Sequence, residues 1–269
     1  MQKGSFSELE RAGWQRNASD YDTVDLPATH QAFAPLLDSL GGLRGRHVLE
    51  VASGTGHLAA EVLTRGASVV GIDVASKMVA LARERFPRAT FVEGDAEGLP
   101  FEDAQFDSVL CCFGLLHFAE PVKALREMAR VLKPGGAVSF TVWCPPEQGG
   151  EFFGLILRTY ESHANMQLDL PPAPPMFALA DPNVRDPMLS EAGFGGIRAQ
   201  RIPIVWPIHG PDTLFDFIVR GAVRTRMIYE RQTPLVQKRI RDALAAATTP
   251  FLSLGGIPAP ALMVTTSKE

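Results

Sequence analysis

The chain has 269 residues, 46% apolar and 21% charged, a balance that excludes a disordered chain or a coiled coil and supports a substantial core. At roughly 150 residues per domain, the length allows one large domain or one domain with a sizeable attachment. Lys plus Arg is 26 against 30 for Asp plus Glu, and the net charge of −4 argues against a dominant nucleic-acid surface.

The three cysteines are an odd number, and Cys111 and Cys112 are adjacent in a strand-like run, where neighbouring side chains point to opposite faces. A reducing compartment is therefore expected. Residues 1–20 carry no apolar leader, and the uncharged stretch 243–267 is interrupted by Pro250, Pro258 and Pro260. A cytoplasmic protein without a membrane span is the expectation.

In chain order, residues 1–44 read as a polar, helical arm. His47 to Ala52 has the length and apolarity of a strand, Gly56 to Thr64 is helical, and Ala67 to Asp73 is a second strand. Ser76 to Phe86 is a helix that Ser76 is suited to cap and Pro87 to end. Thr90 to Glu93 and Phe106 to Cys112 are further strands. Pro121 to Leu132 is a helix with proline in its first turn, and Ala137 to Val142 is a strand after the Pro134-Gly135-Gly136 turn. The alternation predicts a parallel sheet covered on both faces, with right-handed crossovers.

After Trp143 the pattern changes. Residues 144–182 are proline-rich around a helix from Glu151 to Ala164. Asp186 to Ala192 is a short helix closed by Gly193, Ile197 to Trp206 a strand, and Asp212 to Ala247 mostly helical with a break near Pro234. Ala261 to Thr266 is the last strand. An insert of this kind reads as a cap on the same domain. Residues 197–242 hold nine basic and four acidic side chains, a surplus that a solvated face accounts for.

The chemistry concentrates around Gly54-Thr55-Gly56, where a strand runs into a helix. Small residues there admit a ligand close to the backbone, and the helix start offers unpaired N–H groups. Gly54-x-Gly56-x-x-Ala59 with Asp73 also satisfies a relaxed dinucleotide fingerprint. Against that reading stand three acids, Glu50, Asp73 and Asp95, at three consecutive strand ends. They would repel a pyrophosphate and suit a ligand bearing an amine and ribose hydroxyls.

Across residues 45–143 five segments follow one another in family order: Leu49 to Gly56, Gly71 to Met78, Gly94 to Phe101, Phe106 to Val109 and Leu132 to Gly136. Here the chain resembles the class I S-adenosylmethionine-dependent methyltransferases, in particular the ubiquinone/menaquinone-type and small-molecule group. Ala52-Ser53 stands where that family usually has Gly-Cys. The resemblance implies an α/β fold, a Rossmann-like, doubly wound seven-stranded sheet with the last strand antiparallel. It divides the chain into an arm or lid (1–44), an S-adenosylmethionine-binding core (45–143), a cap with returning strand and helices (144–258) and the last strand (259–269). Tyr21, Glu50, Ala52, Gly54, Gly56, Asp73, Val74, Met78, Asp95, Ala96 and Phe113 are the expected cofactor contacts. His117 is a candidate general base, although a structural histidine bonded to a backbone carbonyl is an equally ordinary role.

The expected activity is in-line methyl transfer from S-adenosylmethionine to an O, N or C nucleophile of a small molecule, by a monomer or homodimer. No metal spacing occurs among the six histidines, and no nucleic-acid or membrane partner is expected. The alternatives are a cofactor-binding enzyme of another reaction, such as cyclisation or elimination, and a non-catalytic cofactor-binding subunit.

Overall fold

A computed structural model describes residues 5–269. By its internal contacts the chain divides into two compact units, one of residues 29–143, 173–202 and 261–269 and the other of residues 5–28, 144–172 and 203–260.

The first unit is built on a seven-stranded sheet. Its strands are β1 (His47–Val51), β2 (Ser68–Asp73), β3 (Thr90–Glu93), β4 (Phe106–Cys112), β5 (Leu132–Trp143), β6 (Phe194–Ile202) and the C-terminal Ala261–Lys268. The other unit contributes a separate two-stranded pair, β7 (Val205–Pro207) and β8 (Gly256–Pro258), so the C-terminal strand is β9. The large sheet runs β3-β2-β1-β4-β5-β9-β6, parallel from β3 to β5, with β9 antiparallel to both neighbours. This is the doubly wound sheet with an antiparallel last strand. Its order reverses between β1 and β4, and in open parallel sheets ligands bind in the crevice at that switch point, beyond the carboxyl ends of the strands.

The helices, in chain order, are α1 (Phe6–Asn17), α2 (Tyr21–Val24), α3 (Leu26–Thr29), α4 (Phe33–Asp38), α5 (His57–Thr64), α6 (Ser76–Arg85), α7 (Pro121–Val131), α8 (Glu151–His163), α9 (Pro182–Glu191), α10 (Thr213–Asp216), α11 (Arg224–Glu230) and α12 (Pro234–Thr248). α7 illustrates how the sequence makes one. Pro121 sits in the first turn, where its missing N–H costs nothing, and Ala124, Leu125 and Met128 form a fully buried stripe toward the sheet. Phe106, Val109 and Phe140 bury completely in the same core, each side chain worth ~1.5–3 kcal/mol of transfer free energy.

The turn expected at Pro134-Gly135-Gly136 lies within β5, which starts at Leu132, and four further readings differ. The strand expected from Ile197 to Trp206 is two strands, because Pro203 has no N–H to continue the ladder, and the pieces join different sheets. The helix expected from Asp186 begins earlier, at Pro182, with Asp181 accepting the N–H of Asn183 as its cap; Pro187 is accommodated within it. The stretch from Asp212 breaks first at residues 217–221, a π-helical turn, well before Pro234. Ser76 does not cap α6: the N-cap is Ala75, and no side chain caps the helix.

In the second unit α1 starts with a capping box, Ser5 and Glu8 exchanging side-chain and backbone bonds. Asn17 donates to the Gly221 carbonyl at 2.9 Å, and Asp20 pairs with Arg220, so the arm is tied to the π-turn. Trp206 stacks on Phe152 with centroids 4.0 Å apart, and Phe217 packs edge-on against both. Some of the basic side chains of this region are paired: Arg226 with Glu230, Arg241 with Asp212, Lys238 with Asp242. Among the described residues no helix is long and apolar enough to cross a membrane.

Candidate cofactor site at the switch point

The carboxyl ends of β1, β2 and β4 gather most of the expected residues. Glu50, paired with Gly71 on one side and Leu110 on the other, is 2% exposed. Its carboxylate takes a hydrogen bond from the backbone of Ala59, in the first turns of α5, while Oε2 has no partner. Burial pushes the Glu50 carboxyl well above the ordinary range, the Ala59 bond lowers it in part, and the charge of Asp73 raises it further. A fully buried carboxylate with one oxygen unused is costly unless a cation comes to meet it.

Asp73 ends β2 and ties the glycine loop to α6. Its Oδ2 accepts the N–H of Gly54 at 2.8 Å and its Oδ1 that of Ala75 at 2.9 Å. Desolvation raises this carboxyl too, against the two backbone bonds and the nearby His117, which lower it. Each oxygen keeps a second lone pair for a hydroxyl donor. The Asp73 carbonyl in turn holds the N–H of Gly94, which fixes the start of the loop carrying Asp95 and Ala96. Asp95 is exposed and its Oδ1 accepts the N–H of Glu97 at 2.9 Å, and Ala96 is buried.

Gly56 adopts φ +86° at the start of α5, and a Cβ there would lie 2.7 Å from Phe91 and 3.0 Å from Ala82, so both backbone shape and space require glycine. Ala52 has φ +56°, a left-handed conformation ordinarily given to glycine, which accounts for the glycine usual at this position in the family it resembles. Phe113, at the end of β4, is left-handed as well, φ +57°.

Val74 is half-buried and Met78, on α6, is 2% exposed and packs in the core. His117 closes a short 3-10 turn, Leu115–His117, its N–H donating to the Gly114 carbonyl at 2.9 Å. Tyr21 stands in the other compact unit, edge-on to Trp14 with centroids 6.3 Å apart. Two participants escaped the sequence reading. Trp143 stacks on Phe113 at 3.9 Å, and Thr141 Oγ1 accepts the Phe113 N–H at 3.1 Å. Both stand on β5, and only the pairing of β4 with β5 reveals them.

Residues 49–140 match the family model described as a methyltransferase domain. The demethylmenaquinone methyltransferase of Renibacterium salmoninarum is 38% identical over 128 residues, covering 48% of this chain and 54% of that protein. The chain spans about half the length of the curated relatives it matches. Among solved structures, the YcgJ protein of Bacillus subtilis superposes with a TM-score of 0.58 at 20% identity, over 89% of this chain and 99% of that one. The [4+2]-cyclase SpnF does so with a TM-score of 0.53 at 24% identity, over 88% and 80%. At these identities the structural likeness shows the fold. The matched stretch, residues 49–140, contains the whole switch-point site, from Glu50 to Phe113 and His117.

Proposed function

We propose that this chain transfers a methyl group from S-adenosylmethionine to an O, N or C nucleophile of a small molecule by in-line displacement. The observation that carries the reading is the unpartnered Glu50 Oε2, buried beside a glycine loop that Asp73 holds in place. An α-ammonium satisfies that oxygen; the pyrophosphate of a dinucleotide would meet two buried carboxyls. Gly56 lets the loop and the start of α5 pack close against Phe91 and Ala82 beside the Glu50 carboxylate. When bound, the cofactor supplies an electrophilic methyl on a sulfonium, already activated for displacement.

The chain's own residues then bind, orient and exclude water. Glu50 takes the ammonium, Asp73 accepts from the ribose hydroxyls with its free lone pairs, and Asp95 with the Ala96 N–H flanks the adenine. Ala52, Gly54 and Gly56 shape the floor, and Val74, Met78 and Phe113 provide apolar walls. His117, close enough for its charge to bear on Asp73, is the residue placed to take a proton from an acceptor. A small acceptor is favoured over nucleic acid because a net charge of −4 offers no dominant basic surface. The Cys111 thiol, pushed up to about 12 by burial, is not suited to thiol chemistry.

The relatives' names make a quinol the first acceptor to offer. Incubation with methyl-labelled S-adenosylmethionine and a panel of quinols, phenols and amines should release S-adenosylhomocysteine with one acceptor class. Because a cyclase shares the fold, the same assay scores the alternative: product formed with the cofactor unconsumed would replace methyl transfer with a non-methylating reaction.

A further inference from the structure

Three non-glycine residues among those described adopt positive φ, and two of them, Ala52 and Phe113, end the adjacent strands β1 and β4 on either side of the switch point. Such conformations are strained and persist where the surroundings over-determine them. The surroundings here converge on Gly114. A Cβ on this residue would lie 2.6 Å from the Ala52 Cβ and 2.7 Å from Cys111 Sγ. Its φ is −86°, a value any residue adopts, so glycine is required here for space alone. The Cys111 sulfur, fully buried, takes hydrogen bonds from the N–H groups of Gly114 and Leu115. The Gly114 carbonyl holds the N–H of His117. From the other side, Thr141 and the Trp143 ring fix Phe113.

We propose that Gly114 is a positioning residue: the Ala52 methyl seated against it forms a joint that sets the cofactor loop after β1 against the turn carrying His117. The left-handed bend at Ala52 points its methyl at Gly114, and the bend at Phe113 presents the bare face of Gly114 to receive it. Cys111 acts as the hydrogen-bonding post for that turn. The joint rests on the cofactor reading given above, and it adds Gly114 and Cys111 to the residues that the reaction requires.

The test is a suppressor pair. Calorimetric affinity for S-adenosylmethionine is measured for wild type, Gly114→Ala, Ala52→Gly and the double variant, with thermal melting alongside. Gly114→Ala is expected to weaken binding at least tenfold, by pushing the loop after β1, whose Gly54 N–H donates to Asp73. Adding Ala52→Gly, which deletes the methyl it strikes, should recover at least threefold relative to Gly114→Ala alone. A generally damaging substitution would not be relieved by a second change in the same site. If Gly114→Ala binds as wild type does, or if the two changes weaken binding additively, the joint is overturned. Should Gly114→Ala fail to fold, a double variant that folds again supports the joint, and one that does not overturns it. Absence of any binding by wild type would instead refute the cofactor reading itself.

Discussion

At the residue scale the account rests on Glu50. Its carboxyl is raised by burial, so the folded protein binds a proton more tightly there than the unfolded chain does. Stability of the ligand-free protein therefore falls as pH rises from the unfolded carboxylate range toward the raised folded value. Glu50→Gln removes that penalty and should raise the melting midpoint at neutral pH, ~2–4 °C for each kcal/mol regained in a chain of this size. Asp73→Ala should do the opposite. It strips the acceptors from the Gly54 and Ala75 N–H groups, destabilises by about 2 kcal/mol or more, and abolishes cofactor binding in calorimetry. Ser53 offers a third contrast. Its hydroxyl is buried without a partner and its Cβ faces Gly71, away from any donor. Ser53→Ala should therefore stabilise by about 1 kcal/mol in denaturant melts, and an unchanged midpoint would show the hydroxyl to be satisfied in solution.

At the scale of elements, the core crossovers were legible because each strand and helix keeps its own period and its own stop signal. Pro87 ended its helix close to where the pattern said it would, whereas Pro134-Gly135-Gly136, expected as a turn before the strand, lies within β5. Acids at strand ends were legible for the same reason, since their position follows from where the strand stops. What stayed hidden depends on neighbours distant in sequence. Trp143 meets Phe113 only through β4–β5 pairing, and the role of Cys111 as an acceptor needs the turn after it. Ser76 looked like a cap because its type fits, yet Asp73 already holds the Ala75 amide and the helix starts without one. One element also hangs on a single side chain. Arg130 of α7 donates to the Leu99 and Phe101 carbonyls at 2.9 and 2.8 Å and pairs with Glu127, whose Oε2 accepts the Leu99 N–H. Arg130→Met should speed amide exchange across residues 99–103 while leaving β4 protected; uniform exchange changes would contradict a local clamp.

At the scale of the whole molecule, pH sensitivity should come from both compact units. Asp25, 6% exposed, has its carboxyl pushed up to about 7, first by burial and then by the charge of Asp20. The folded chain thus holds a proton that the unfolded chain releases near the ordinary carboxylate value of 3.8. Stability should decline as pH rises from that value toward about 7 and level off beyond it. Asp25→Asn should flatten this slope in melts between pH 4 and 8. The length that first suggested one domain with an attachment now resolves into a sheet-bearing unit with the cofactor site and a second unit of helices around an aromatic cluster.

The most direct test of the central claim is calorimetric titration of S-adenosylmethionine into wild-type and Glu50→Gln protein at neutral pH. Wild type should bind, and the variant, although it melts higher without ligand, should bind at least tenfold more weakly, a loss of ~1.4 kcal/mol. Equal affinity in the two proteins, or no binding by wild type, would contradict the account.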